Sequence, residues 1–150
     1  MFCVMTEIDL ILLHAAATWA LVGLIWMVQL VQYPGFLFIE GSEFEPFHEH
    51  HCSRITWIVA VLMATEAITG AVLLWDRPLG ISAGMAWTGA SLVIINWLCT
   101  GLISAPLHGR LRGSSLELKR RLIWTNWIRT FAWSARGIWA FLLVRSQIPG

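Results

Sequence analysis

Hydrophobic positions in this chain fall in four long blocks, Ile8–Tyr33, Arg54–Trp75, Met85–Ala105 and Leu122–Val144, separated by short polar stretches. A bilayer core about 30 Å thick needs roughly 20 apolar residues per helix, so each block predicts a transmembrane helix. Polar punctuation agrees with the spacing. Tyr33-Pro34-Gly35 predicts the end of the first helix, and Ala105-Pro106 the end of the third. Gly41-Ser42-Glu43-Phe44-Glu45 has the S-x-x-E spacing of a capping box, which predicts a second helix from about Glu43 to Trp75. Its first three turns would project beyond the membrane, carrying His48, His50 and His51. Asp76-Arg77-Pro78-Leu79-Gly80 reads as a short turn, and Leu107–Arg120 as a basic connector turning at Gly113-Ser114-Ser115.

The predicted fold is all-α: one domain over residues 1–150, an integral membrane four-helix up-down bundle. A composition of 57% hydrophobic residues and a mean hydropathy of +0.68 are too apolar for an ordinary soluble domain of this length. The first block is expected to be a retained span, since the residues before it carry acids where a secretory signal has a positive region. Charge sets the expected orientation. The connectors after the first and third helices carry Arg54, Arg110, Arg112, Lys119, Arg120 and Arg121, against Arg77 and Arg145 on the other side. Positive charge is retained in the cytoplasm, so both termini are expected on the non-cytoplasmic side. A net charge of +1, with no basic stripe interleaved with aromatics, gives no argument for nucleic acid. Cys3, Cys52 and Cys99 fall at three different depths, which predicts no disulfide framework.

Ionisable groups inside a span cost about 2.5–3.5 kcal/mol on insertion scales and normally face the bundle interior with a partner. On the fourth helix Asn126, Arg129, Trp133 and Arg136 recur at +3, +7 and +10, a face about 80° wide at 100° per residue. His48, His51, Glu66 and Thr69 share a face on the second helix; His14, Thr18, Gln29 and Gln32 share one on the first; the third supplies Asn96 and Thr100. Depth divides these groups. His14, Glu66 and Arg136 each lie about 9–14 Å in from the non-cytoplasmic end at 1.5 Å per residue, which makes Glu66 and Arg136 the natural ion pair. A buried pair that only fixes helix register is the equally weighted alternative.

At the other end Gln29, Asn126 and Arg129 approach His48, His51 and His108, and a ligand site is expected there. Arg129 and Asn126 would hold an anionic or carbonyl oxygen, with Glu45, Glu49 or a backbone carbonyl as rival partners for the arginine. A histidine would serve as proton donor or metal ligand. His48 and His51 at i, i+3 could chelate a metal ion, and His14 could be an axial haem ligand. The blander reading is a polar face at a solvated helix start and a hydrogen-bonded core histidine. Ten tryptophans are many for 150 residues. Trp57, Trp75, Trp87 and Trp124 sit near predicted span ends, where indole prefers the headgroup level. Trp19, Trp97 and Trp133 lie deeper, as core or as a wall for a flat ligand.

Val28-Gln29-Leu30-Val31-Gln32-Tyr33-Pro34, the His-rich start of the second helix, Pro106-Leu107-His108, Asn126-Trp127-Ile128-Arg129-Thr130 and Ala132-Trp133-Ser134-Ala135-Arg136 resemble an uncharacterised family of small bacterial four-helix membrane proteins. That resemblance covers most of the chain and implies a bacterial inner membrane. Pro106-Leu107-His108 and Asn126-Trp127-Ile128-Arg129 are also similar to the anthrone oxygenase-like membrane proteins, which oxidise polycyclic phenols. Leu13-His14 with Trp19 and Gly23-Leu24 looks like helix 1 of the four-helix, haem-associated protoporphyrinogen oxidases, whose third-helix lysine has no counterpart here. The function expected is an oxidoreductase or oxygenase-like protein binding a flat lipophilic substrate or cofactor. His48, His51, His108 and Arg129 are the candidate catalytic residues; Gln29, Asn126 and Trp133 are the candidate substrate contacts. The alternative is a non-catalytic accessory or stabilising subunit of a larger membrane complex, with lipid, neighbouring subunits or a second copy as partners.

Overall fold

The computed structural model describes residues 6–78, 80–111 and 115–148, and all regular structure among them is helical. Four long helices, α1 (Glu7–Phe38), α2 (Gly41–Trp75), α3 (Ala83–Arg110) and α4 (Leu116–Arg145), form a bundle. Each packs against two others in a closed ring: α1 on α2 and α4, and α3 on α2 and α4. Contacts between α1 and α2 run antiparallel, with His14 meeting Thr69 at one end and Tyr33 beside His51 at the other. Cys3, Leu79, Arg112, Gly113 and Ser114 lie outside the described residues.

Three of the four helices, α1 to α3, are long and apolar enough to cross a membrane. α4 differs from the other three in composition. Its 30 residues would reach about 45 Å, but Lys119, Arg120 and Arg121 open it and Arg129 and Arg136 interrupt its apolar stretch. Those two arginines are buried in the bundle. Apolar side chains cover much of the outside of all four helices, among them Val31, Val61, Ile68, Leu102, Phe131 and Ile138.

The interior has three apolar layers. Leu10, Ile11, Leu73, Ala86, Trp139 and Leu143 fill the end near the α2–α3 turn. Leu21, Ile25, Met63 and Trp133 occupy the middle. Tyr33, Phe36, Phe44, Leu107 and Leu122 fill the opposite end, the histidine end. Trp57, Trp75, Trp87 and Trp124 are exposed, and Trp133 is buried. Trp19 and Trp97, expected deeper in the protein, are half exposed on its outer surface.

Neither proline ends its helix where the sequence suggests. A proline has no N–H and its ring collides with the carbonyl four residues back. In α1 the turn Val28–Gln32 is a π-helix, with the Tyr33 N–H bonded to the Val28 carbonyl, so the chain passes Pro34 and stays helical to Phe38. In α3 the turn Thr100–Ser104 does the same, with the Ala105 N–H bonded to the Thr100 carbonyl ahead of Pro106, and the helix runs on to Arg110. The wider turn absorbs the missing donor and turns the following residues around the helix axis. Tyr33 and His108 both lie just beyond such a turn.

The predicted capping box at Ser42 and Glu45 does not form. A 3-10 turn over Gly41–Glu43, with Gly41 at φ 63°, leads into α-helix from Phe44 without a side-chain cap. Burial of Phe36 and Phe44 fixes this corner instead. Lys119, read from the sequence as a charge of the basic connector, is buried against it: its Nζ donates to the Ile39 carbonyl at 2.7 Å and lies 3.8 Å from the centre of the Phe44 ring. Three other helix starts are capped by side chains. Thr6 and Asp9 form a capping box, Ser82 accepts from the Met85 N–H, and Ser115 accepts from the Leu118 N–H.

Candidate functional site

Two polar clusters lie inside the bundle. The first joins α1, α2 and α4 between the end layer around Leu10 and the middle layer. Arg136 Nε donates to Glu66 Oε1 at 3.2 Å, and Thr18 Oγ1 donates to the same oxygen at 2.9 Å. Trp133 Nε1 points at Glu66 Oε2 from 3.4 Å. Arg136 Nη2 donates to His14 Nε2, and His14 Nδ1 meets Thr69 Oγ1 at 2.7 Å. Thr69 already donates its hydroxyl hydrogen to the Thr65 carbonyl at 2.7 Å. It must therefore accept from His14, which carries its proton on Nδ1 and is neutral. Both ring nitrogens of His14 are thus engaged, and the guanidinium also stacks 4.4 Å from the Trp139 ring. Every charge in this cluster has a partner within it, which is what a lock between helices requires.

The second cluster lies at the histidine end. His48 and Cys52, one turn apart on α2, face His108 from α3. His48 Nε2 and His108 Nδ1 are 2.9 Å apart; Cys52 Sγ lies 3.4 Å from the former and 3.6 Å from the latter. The other ring nitrogen of His108 meets the Tyr33 hydroxyl at 2.9 Å. Phe36 and Phe44 pack on the His48 ring. These three ligating atoms all lie within 4.8 Å of one another, a set that could hold a metal ion. His51, expected to pair with His48, sits beside the group: its ring edges Tyr33 and Phe36, and it lines a shallow outer pocket with Gln32, His50 and Arg54.

Deeper in, α4 adds the groups expected of it. Arg129 Nη1 donates to Ser104 Oγ at 3.1 Å and to Asn126 Oδ1 at 3.2 Å. Asn126 Nδ2 donates to Gln29 Oε1 at 2.8 Å, and Gln29 Nε2 donates to the Ile123 carbonyl at 3.3 Å. Neither Glu45 nor Glu49 is among the hydrogen-bond partners of Arg129. Its Nε is buried without a partner, as are both side-chain polar atoms of Asn96. An N–H left unpaired away from water costs about 1–3 kcal/mol, a cost that falls on an arginine only 6% exposed.

A cavity of about 270 Å³ opens between the helices, lined by Leu21, Leu24, Ile25, Val28, Ile55 and Val59 on its apolar walls. Trp133 forms part of the wall, while Arg129, Ser104, Tyr33, Cys52 and His108 make its polar end. Across the same cysteine and histidine lies a second, more open pocket of about 450 Å³ with Glu45, His48 and Glu49 on its rim. Cys52 and His108 line both spaces, and His48 lines the outer one.

Of the residues singled out from the sequence, His48, His108, Arg129, Asn126, Gln29 and Trp133 converge on this end or its cavity. His51 stays at the edge, and His14 belongs to the other cluster. Sequence reasoning missed Tyr33, Cys52 and Ser104. Cys52 had a signal, the i, i+4 spacing from His48 that puts both on one helix face. Tyr33 and Ser104 had none, since their positions depend on the π-helical turns. No protein-family model, no curated protein and no solved structure matches this chain.

Proposed function

We propose that the chain is a membrane-embedded oxidoreductase or oxygenase-like protein that takes a flat lipophilic molecule into the cavity between its helices. The molecule's anionic or carbonyl oxygen is held at Arg129. One observation carries the reading: an apolar cavity between the helices has Arg129, Ser104, Tyr33, Cys52 and His108 gathered at one end. Ligand sites are mostly apolar with a few polar groups that fix orientation, and this one has that division along its length. Asn126 and Ser104 hold Nη1 of the guanidinium in place. Tyr33 and His108, hydrogen-bonded to each other, are the proton-carrying groups within reach of the same end. Oxidoreductase chemistry is favoured by the similarity of the Pro106-Leu107-His108 and Asn126–Arg129 stretches to the anthrone oxygenase-like proteins. In this reading all four helices span, α4 being carried across by the partners of its two arginines, in a bacterial inner membrane.

The second reading, a non-catalytic stabilising subunit, draws on the Glu66–Arg136 cluster, which is satisfied internally and needs no ligand. Binding of a hydroxyanthraquinone to the detergent-purified protein, with organic extraction and mass analysis of whatever co-purifies, separates the two. Saturable binding that depends on Arg129 supports the first reading, and its absence gives the lead to the second.

A further inference from the structure

We propose that His48 Nε2, Cys52 Sγ and His108 Nδ1 are three ligands of a transition-metal site, zinc by preference. The site stands on its own ligands and does not depend on the cavity reading.

Geometry carries the proposal. A tetrahedral zinc ion with bonds of about 2.0–2.1 Å to nitrogen and 2.3 Å to sulfur separates its ligand atoms by roughly 3.3 Å for N–N and 3.5–3.6 Å for N–S. The two nitrogen–sulfur edges here are 3.4 and 3.6 Å. The nitrogen–nitrogen edge, 2.9 Å, needs to open by only about 0.4 Å. The ligands come from rigid elements, His48 and Cys52 from successive turns of α2 and His108 from the helical continuation of α3 beyond its π-helical turn. An imidazole–imidazole–thiolate set suits zinc better than the oxygen-seeking magnesium or calcium.

The surroundings are those of a metal site. A ligating histidine usually gives its second ring N–H to an oxygen that fixes the ring, and Tyr33 Oη stands 2.9 Å from His108 Nε2 to take it. Glu45 and Glu49 share the outer pocket with the three ligands and bring negative charge to the water-facing approach. Loading balances as one divalent ion in and one proton out, from the Cys52 thiol. Both imidazoles bind neutral, and the complex carries one net positive charge beside those carboxylates. The fourth coordination position opens to the outer pocket, which all three ligands line. Three protein ligands with one open position is the arrangement of catalytic rather than structural zinc.

Cobalt(II) titration of the whole detergent-purified chain tests this. About one equivalent should bind and give near-ultraviolet thiolate-to-cobalt absorption that zinc displaces. Cys52→Ser should abolish that absorption and His50→Ala should preserve it. Tyr33→Phe, which removes only the oxygen supporting His108, should weaken binding about tenfold. Absence of saturable binding by the wild-type chain, or absorption that survives Cys52→Ser, overturns the proposal. A second readout avoids ligand substitutions. With Cys3 and Cys99 replaced by serine, zinc should slow maleimide labelling of Cys52 at least about tenfold, since a bound thiolate is not free to react; an unchanged rate overturns the site. Hydroxyanthraquinone binding measured on chelator-treated protein reports on the cavity separately, so failure of the metal site and failure of the cavity reading are distinguishable.

Discussion

Arg136 and Glu66 meet 3.2 Å apart in the bundle interior, each 1% exposed, and each is held by further partners from α1. Removing one member of such a pair leaves the other charge buried alone, at a cost of about 3–5 kcal/mol. Glu66→Gln and Arg136→Gln should each lower the melting temperature in detergent strongly. The double variant should be less destabilised than the two singles summed, because neither charge is then stranded. Two single variants as stable as wild type would contradict the lock.

Close packing of α3 on the same cluster gives a steric test. A Cβ at Gly89 would stand 2.6 Å from Trp139 Cζ2 and 2.9 Å from Arg136 Nη1. Gly89→Ala should therefore destabilise by about 1–3 kcal/mol through overpacking. Gly23, where an added Cβ meets nothing within 4 Å, is the control: Gly23→Ala should be neutral or stabilising by up to about 1 kcal/mol, since alanine loses less backbone freedom in a helix. Equal melting temperatures for the two variants would show that α3 does not sit this close to α4.

Orientation in the membrane follows from charge. With six Lys or Arg on the connectors at the histidine end and two on the other side, the proposed topology places the histidine end in the cytoplasm and both termini outside. A C-terminal phosphatase fusion should be active and a C-terminal fluorescent reporter that needs the cytoplasm dark. The reverse pattern overturns this orientation and moves the candidate site to the opposite face.

The helices were legible because apolar blocks of span length are a strong signal, and α4's inward face because four polar or aromatic residues at 3- and 4-residue spacing leave little choice. Depth counting brought Glu66 to the level of Arg136 for the same reason: rise per residue is constant. Local irregularity was not legible. Pro34 and Pro106 read as helix ends, and only the structure shows a π-helical turn ahead of each that carries the chain past it and aims Tyr33 and His108 at one volume. Lys119 read as a loop charge because nothing in its neighbourhood announces the Ile39 carbonyl it satisfies, 80 residues away. His48 and His51 lie one turn apart on the same face of α2, and which of them meets α3 depends on where His108 arrives.

The central claim is that Arg129 holds a ligand oxygen at the polar end of the cavity. Its most direct test is the binding isotherm of a hydroxyanthraquinone, followed by visible absorbance, for wild type and Arg129→Gln. A charge-assisted hydrogen bond contributes about 1.5–3 kcal/mol, which corresponds to a roughly 10- to 100-fold loss of affinity. Wild type should bind saturably and Arg129→Gln should lose affinity by that factor, with both proteins purifying in folded form. Saturable binding of equal affinity in the two proteins, or none in wild type, would contradict it.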